Sequence, residues 1–263
     1  MKAIVWTRYG PPEGLQIREV PTPMPRDHEV LIRVHAASVS TPDTEIRRLG
    51  LPILFALPLR FYLGFFRPAR ITILGSEFAG EITRVGKDVT RYRPGDQVYG
   101  YTMLRMGTCA EYLCLPEKPA GMSGVMAEKP ANLTCEQAAA APFGGLEALH
   151  MLGQANIKPG YKVLIVGAGG SIGSWSVQLA PHYGAQGTGG DKPGNLEILC
   201  TLGADEVIDY TREDFTRNGQ KYDVILDTIS GSRFSRSLKS LNENGAYLNA
   251  RPGLFDAFRM LWA

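Results

Sequence analysis

Lys162-Val163-Leu164-Ile165-Val166-Gly167-Ala168-Gly169-Gly170-Ser171-Ile172-Gly173 decides the fold. Val163 to Val166 is a continuous apolar run, the pattern of a strand buried on both faces of a parallel sheet. Small residues then break the run, and a helix is predicted from Ile172 to His182. In this strand–turn–helix context, the spacing Ala168-x-Gly170-x-x-Gly173 reads as a dinucleotide-binding fingerprint. Ala168 is small enough for the tight turn. Gly170 lets the backbone approach a pyrophosphate, and Gly173 lets the helix pack close to the strand. Gly169, Ser171 and Ile172 complete the turn, where amides at the helix N-terminus suit phosphate oxygens. The competing reading is a structural turn without a ligand.

Outward from this turn, strands alternate with helices. Strands are predicted at Ala185–Gly190, Glu206–Asp209, Tyr222–Asp227 and Ala246–Asn249. Helices are predicted at Asn195–Leu202 and Arg233–Leu241, and upstream at Glu136–Gln154 with Thr134 as N-cap. Alternation of this kind makes a doubly wound parallel sheet. Residues 1 to about 125 read differently. Short strands near 3–6, 29–34, 78–85, 96–100 and 110–115 lie between Pro/Gly turns, which suggests a compact β-barrel-like domain. The chain is therefore expected to be α/β with two domains, 1–125 and 126–263.

Composition narrows the function classes. The 263 residues carry 28 Lys plus Arg against 26 Asp plus Glu. A formal net charge of +2 gives no global basic excess for nucleic acid or an anionic membrane. Four cysteines do not make a disulfide scaffold, so a cytoplasmic location is expected. The N-terminus lacks the apolar core of a signal peptide. Leu51 to Phe66 is apolar, but Pro52, Pro58, Arg60 and Gly64 interrupt it, so no transmembrane segment is expected. From Ile46 to Ser76 there are five arginines and no acid, a pattern resembling a surface-seeking element. The plainer reading of this stretch is a partly buried loop or short helix.

Cofactor choice rests on the end of the second strand of the parallel sheet. Asp191 fits the acid that bonds a ribose 2′-OH in NAD enzymes. Lys192 instead fits a 2′-phosphate, with Asn195 helping. The balance favours NADP(H), with NAD not excluded. Glycines at 187, 189 and 190 weaken the strand that carries these residues.

Several segments together resemble the medium-chain dehydrogenase/reductase superfamily, in its zinc-independent quinone-oxidoreductase-like branch. They are Glu29–Val34, Gly75–Gly80, Val85-Gly86, Pro94–Val98, Gly107–Tyr112, Ala138–Gly145, the Gly-rich turn and Leu202–Tyr210. The resemblance implies an N-terminal GroES-like catalytic domain and a C-terminal Rossmann domain, with the active site in the cleft between them. It implies an oxidoreductase that passes hydride from NAD(P)H to a quinone, enone or related carbonyl. Zinc-dependent members place a Cys and a His-Glu pair where this chain has Ser40 and Ser76-Glu77. Neutral hydroxyls are poor zinc ligands, so no metal is expected.

The same resemblance places other residues. Ser38 to Asp43 matches the branch's active-site segment, making Ser40 and Asp43 the catalytic candidates; a helix-capping turn is the alternative. Tyr210 matches a tyrosine beside the adenosine ribose or its phosphate. Asp227 and Thr228, and likewise Asn249, end strands whose C-termini border the cofactor. Gly144-Gly145 is expected before a helix on the phosphate side, and Leu51–Phe66 as an apolar flap suiting a lipophilic substrate. Pro181 and the Gly-rich second strand depart from the pattern. Relatives include structural and RNA-binding proteins, so a non-catalytic nucleotide-binding role is the alternative.

Five Rossmann strands are predicted where the usual order has six. The sixth often forms the dimer edge in relatives, so a truncated C-terminus is expected and homodimer formation is doubtful. The sequence ends at Arg259-Met260-Leu261-Trp262-Ala263 with no obvious cap.

Overall fold

A computed structural model describes residues 1–50, 53–119, 121–229 and 234–251, with the backbone alone for 53–55. Leu51, Pro52, Arg233 and the C-terminal end from 252 to 263, which carried expectations above, lie outside the described residues. The chain divides into two compact units, Met1–Pro142 and Phe143–Ala263.

The second unit is built on five parallel strands: β8 (Lys162–Val166), β9 (Gln186–Asp191), β10 (Glu206–Asp209), β11 (Tyr222–Asp227) and β12 (Leu241–Asn249). Their order across the sheet is β10-β9-β8-β11-β12, so the chain reverses direction of travel at β8. This is the Rossmann arrangement, 3-2-1-4-5 when counted within the unit. Residue alternation places β8 side chains on both faces. Val163 and Ile165 pack with Val177, Ala180, Leu199 and Leu226 on one face. Leu164 and Val166 pack with Ile208, Phe215, Tyr222 and Ile225 on the other. Burying each large aliphatic side chain stabilises the sheet by roughly 1.5–3 kcal/mol.

The long helix expected upstream of β8 is interrupted, while the one after the Gly-rich turn runs as expected. The helix predicted over Glu136–Gln154 is two helices, α3 (Cys135–Ala139) and α4 (Pro142–Gln154). Pro142 disfavours a helical conformation at Ala141, so the first helix stops and a second begins on the proline. Thr134 caps α3 as expected, accepting the Gln137 amide at 3.2 Å. Helix α5 (Ser171–His182) runs through Pro181 and ends one residue later. Near the end of a helix the proline ring removes a single hydrogen bond. Helix α6 spans Pro193–Thr201, and the short α7 spans Phe234–Ser237.

The first unit contains an antiparallel sheet of β3 (Glu29–Ala37), β4 (Glu77–Val85), β5 (Gln97–Tyr101), β6 (Tyr112–Pro116) and β7 (Val125–Glu128), in the order β6-β3-β4-β5-β7. A separate hairpin pairs β1 (Lys2–Trp6) with β2 (Leu15–Glu19). Val30, Ile32, Phe78, Ile82, Val98 and Leu115 form the sheet's buried core. Strand β7 pairs with β5, and α3 packs on Ala79, so the chain stays in this unit past residue 125. Helices α1 (Thr41–Arg48) and α2 (Ile53–Leu63) lie between β3 and β4 in sequence. Helix α2 continues through Pro58 and stops at Leu63.

Candidate functional site

All five parallel strands end on the same edge of their sheet. The register pairs Val166 with both Gly190 and Asp227, Asp209 with Asp191, and Asp227 with Asn249. In sheets of this kind ligands bind outside the carboxyl ends, where the strand order reverses. That point lies between β8 and β11, and the Gly-rich turn leaves β8 there.

The turn is held by its own amides. Gly167 and Ala168 donate to the Gly190 carbonyl at 2.8 and 3.1 Å, and Gly170 donates to Gly167 O at 3.1 Å. Gly169 donates to Asp191 Oδ2 at 2.6 Å. The next three amides, of Ser171, Ile172 and Gly173, open α5 and have no intrahelical acceptor. They are the donors that a helix N-terminus offers to an anion. Two glycines are required by close approach. A Cβ on Gly173 would sit 2.4 Å from Gly167 O and 2.6 Å from Ala168 Cα. A Cβ on Gly169 would sit 2.4 Å from Asn195 Nδ2. A Cβ on Gly170 would meet only Gly167 O at 3.4 Å, so its outer side is open.

Asp191 is 5% exposed and binds three donors. Besides Gly169, the Lys192 amide and Asn195 Nδ2 donate to Oδ1 at 2.7 and 3.0 Å. The acid that the sequence offered to a ribose thus ties the end of β9 to the turn. Asn195 belongs to the same clasp. The Lys192 side chain is exposed beside it. Tyr210 follows β10, and its amide donates to Asp191 O at 3.3 Å.

Across the switch point, Thr228 Oγ1 donates to Val166 O and Gly167 O at 3.0 and 3.1 Å, joining β11 to the turn. Asp227 is buried; it accepts the Ile229 amide at 3.1 Å and the Tyr247 hydroxyl at 2.9 Å. Tyr247 escaped sequence reasoning. Its inward face follows only from the register of β12 on β11. Asn249 is 6% exposed, and its Oδ1 accepts the Arg251 amide at 2.8 Å. Its Nδ2 has no partner among the described residues, an orphaned donor at the sheet's carboxyl edge. Gly144 and Gly145 lie inside α4 rather than ahead of a helix, because that helix begins at Pro142. Gly144 abuts Ser171, whose Oγ would be 2.2 Å from an added Cβ.

Within the first unit, Ser40 precedes α1. Both its amide and its hydroxyl donate to Asp43 Oδ2, at 2.8 and 2.6 Å. Asp43 is 4% exposed, and its Oδ1 is buried without a partner among the described residues. Ser76 Oγ is buried and has no partner among the described residues, while the adjacent Glu77 accepts the Ser38 hydroxyl. No group of three or more His, Cys, Asp or Glu among the described residues is placed to hold a metal. Burial pushes the Cys109 thiol up to about 11, with the Asp43 charge adding to it. Burial and the Glu29 charge do the same for Cys114. Both thiols are therefore protonated near neutral pH. His35 Nε2 lies 3.8 Å from Glu81 Oε2, and His150 bonds Gln154 at 2.8 Å.

These folds and this edge can be set beside known proteins. Residues 26–138 match the alcohol dehydrogenase GroES-like domain, and residues 202–262 match a family described as zinc-binding dehydrogenase. The chloroplast envelope quinone oxidoreductase homolog of Arabidopsis thaliana is 32% identical, covering 96% of this chain and 75% of that protein. The quinone oxidoreductase of Coxiella burnetii superposes with a TM-score of 0.85 at 32% identity, covering 100% of this chain and 78% of the other. This chain belongs to the quinone-oxidoreductase branch of the medium-chain dehydrogenase/reductase superfamily. Two further relatives in the superfamily are the 2-methylene-furan-3-one reductase of Solanum lycopersicum, 33% identical, and the NADPH-dependent alkenal/one oxidoreductase of Arabidopsis thaliana chloroplasts, 31% identical. They align with 94% and 93% of this chain, which spans 61% of the length of each.

Proposed function

We propose that this chain is an NADPH-dependent oxidoreductase that transfers hydride to a quinone, enone or related lipophilic carbonyl without zinc. The observation that carries the reading is the carboxyl edge of the parallel sheet, where three α5 amides and the orphaned Asn249 Nδ2 stand ready for a phosphorylated ligand. These residues fit a dinucleotide. Ser171, Ile172 and Gly173 hold the pyrophosphate, and Gly170 leaves room for it. NADPH supplies the hydride when bound.

The preference for NADP(H) follows from how Asp191 is used. Three donors already take most of the roughly four acceptor sites of its carboxylate, which leaves little capacity for a ribose hydroxyl. Lys192 offers an exposed cation in the same place for a 2′-phosphate, with Tyr210 on the neighbouring strand end. Asp227, Thr228 and Asn249 border the rest of the cofactor. Ser40 and Asp43 are assigned to orienting the acceptor: Asp43 Oδ2 fixes the Ser40 hydroxyl, and the proton for the reduced oxygen comes from solvent.

The test is stopped-flow mixing of protein and NADPH with a panel of quinones and enones, beside fluorescence titrations with NADPH and NADH. The reading expects NADPH oxidation by at least one acceptor and tighter binding of NADPH than NADH. Absence of NADPH binding would overturn it. Binding without turnover by any acceptor would reduce the chain to a nucleotide-binding protein.

A further inference from the structure

We infer that the exposed face of α2 and the loop after it is a docking surface for an anionic lipid bilayer. This proposal stands on the first unit alone and does not depend on the cofactor or acceptor assigned above.

The segment is split by burial. Leu63 is buried with Trp6, Leu74 and Met106, and Leu59 packs against the same cluster. This anchors the helix. The opposite side carries Phe61, Phe65 and Phe66, all exposed, with Phe61 at 69% and Phe66 at 87%. Their rings form one cluster: Phe61 and Phe65 centroids are 5.4 Å apart, and Phe65 and Phe66 are 5.0 Å apart and edge-on. Three adjoining exposed rings form a contiguous apolar patch rather than singly scattered residues, the pattern that marks an interaction surface.

Charge selects the occupant. Arg60, Arg67 and Arg70 flank the cluster in sequence, and no acid occurs between Ile46 and Ser76. No ion pair among the described residues involves these three arginines. Two are braced by rings. The Arg60 guanidinium lies 5.1 Å from the Tyr9 ring centroid and 5.7 Å from that of Phe65, and its Nε donates to Phe65 O at 2.6 Å. Arg70 lies 4.4 Å over Tyr62. Aromatic rings flanked by unpaired cations fit the interface of a bilayer, where rings enter the headgroup region and cations meet anionic headgroups. No described helix is long and apolar enough to cross the membrane, so contact would be at the surface. A protein partner with an acidic apolar groove, RNA and a second copy of this chain are the competing occupants.

Vesicle co-flotation tests this directly. The full chain is mixed with vesicles of phosphatidylcholine, or phosphatidylcholine with about one-third phosphatidylglycerol, at low and moderate salt. Flotation is expected only with the anionic vesicles and should fall as salt rises. Each arginine near an anionic surface contributes about fivefold in partitioning. Arg67→Glu with Arg70→Glu should therefore weaken partitioning by more than about twenty-fivefold. Phe61→Ser with Phe66→Ser should also abolish flotation at moderate salt. All four side chains are exposed, and an unchanged melting temperature verifies the fold of each variant. Failure to float on anionic vesicles at low salt overturns the proposal, as does flotation indifferent to the arginine changes. Sedimentation showing a dimer that the Phe variants dissolve, or retention of single-stranded RNA without vesicle binding, assigns the surface to another occupant and equally overturns it.

Discussion

The Asp191 carboxylate accepts the Gly169 amide across 22 residues of sequence, at 2.6 Å. This bond joins the end of the second parallel strand to the middle of the Gly-rich turn. Asp191→Ala leaves the Gly169 amide and Asn195 Nδ2 without their acceptor. The expected outcome is a tenfold to hundredfold rise in the Kd for NADPH, about 1.4–2.8 kcal/mol. Asp191→Asn keeps the shape but loses one charge-assisted acceptor, so its effect should be intermediate. Fluorescence titration measures both.

Gly169 and Gly173 should fail differently when given a methyl group. The Gly173 clash is with backbone atoms that cannot move aside, so Gly173→Ala is expected to cost about 1–3 kcal/mol. The Gly169 clash is with the Asn195 side chain, which can swing away at the loss of its bond to Asp191. Gly169→Ala should cost about 1 kcal/mol, and Asn195→Ala in the same chain should add much less than it does alone. Urea unfolding of the two single variants and the double variant resolves this coupling. Additive costs would show that the contact is unimportant.

Tyr247 donates to Asp227 from the last described strand. Tyr247→Phe keeps the ring against Phe234, whose centroid is 5.1 Å away, but strips a donor from a buried carboxylate. A loss of about 1–3 kcal/mol in unfolding free energy is expected. A melting curve indistinguishable from that of the parent would contradict it.

Glu29, at the start of β3, accepts Arg105 Nη2 at 2.9 Å and the Arg26 amide at 3.1 Å. Burial raises its pKa, but the Arg26 amide and the Arg105 guanidinium outweigh burial and hold it below the ordinary glutamate value. A depressed pKa contributes stability that is complete above the unfolded value, about 4.3, and is lost as pH falls through the folded value. Arg105→Ala should therefore lower stability by about 1 kcal/mol at pH 7. The difference from the parent should shrink below about pH 4. Denaturant midpoints at pH 7 and pH 3.5 check both the size and the sign.

The parallel sheet was legible because its signals are local. Val163 to Gly173 carries strand, turn and helix within a dozen residues, and Glu206–Asp209 and Tyr222–Asp227 match their strands end for end. What escaped depends on partners distant in sequence or on a conflict of patterns. Strand β2 has an interrupted pattern, with Ile17 exposed between Gln16 and Arg18, so only pairing with β1 makes it a strand. Strand β7 is four residues recruited by β5. The Ala-rich stretch from Glu136 hid the break that Pro142 imposes at Ala141. The candidate site was legible as a set of residue types at strand ends. Asp191's triple engagement was not, because its partners at 169 and 195 lie on separate elements. Tyr247 carried no sequence signal at all.

The internal use of the turn's amides has a kinetic consequence. Gly167 to Gly170 spend their amides on acceptors within the protein, so the chain itself holds the turn in shape. Nucleotide association should then be a single bimolecular phase whose rate rises linearly with concentration, without the plateau of a slow conformational step. Differences in affinity among variants of the turn should surface mainly in how long the nucleotide stays.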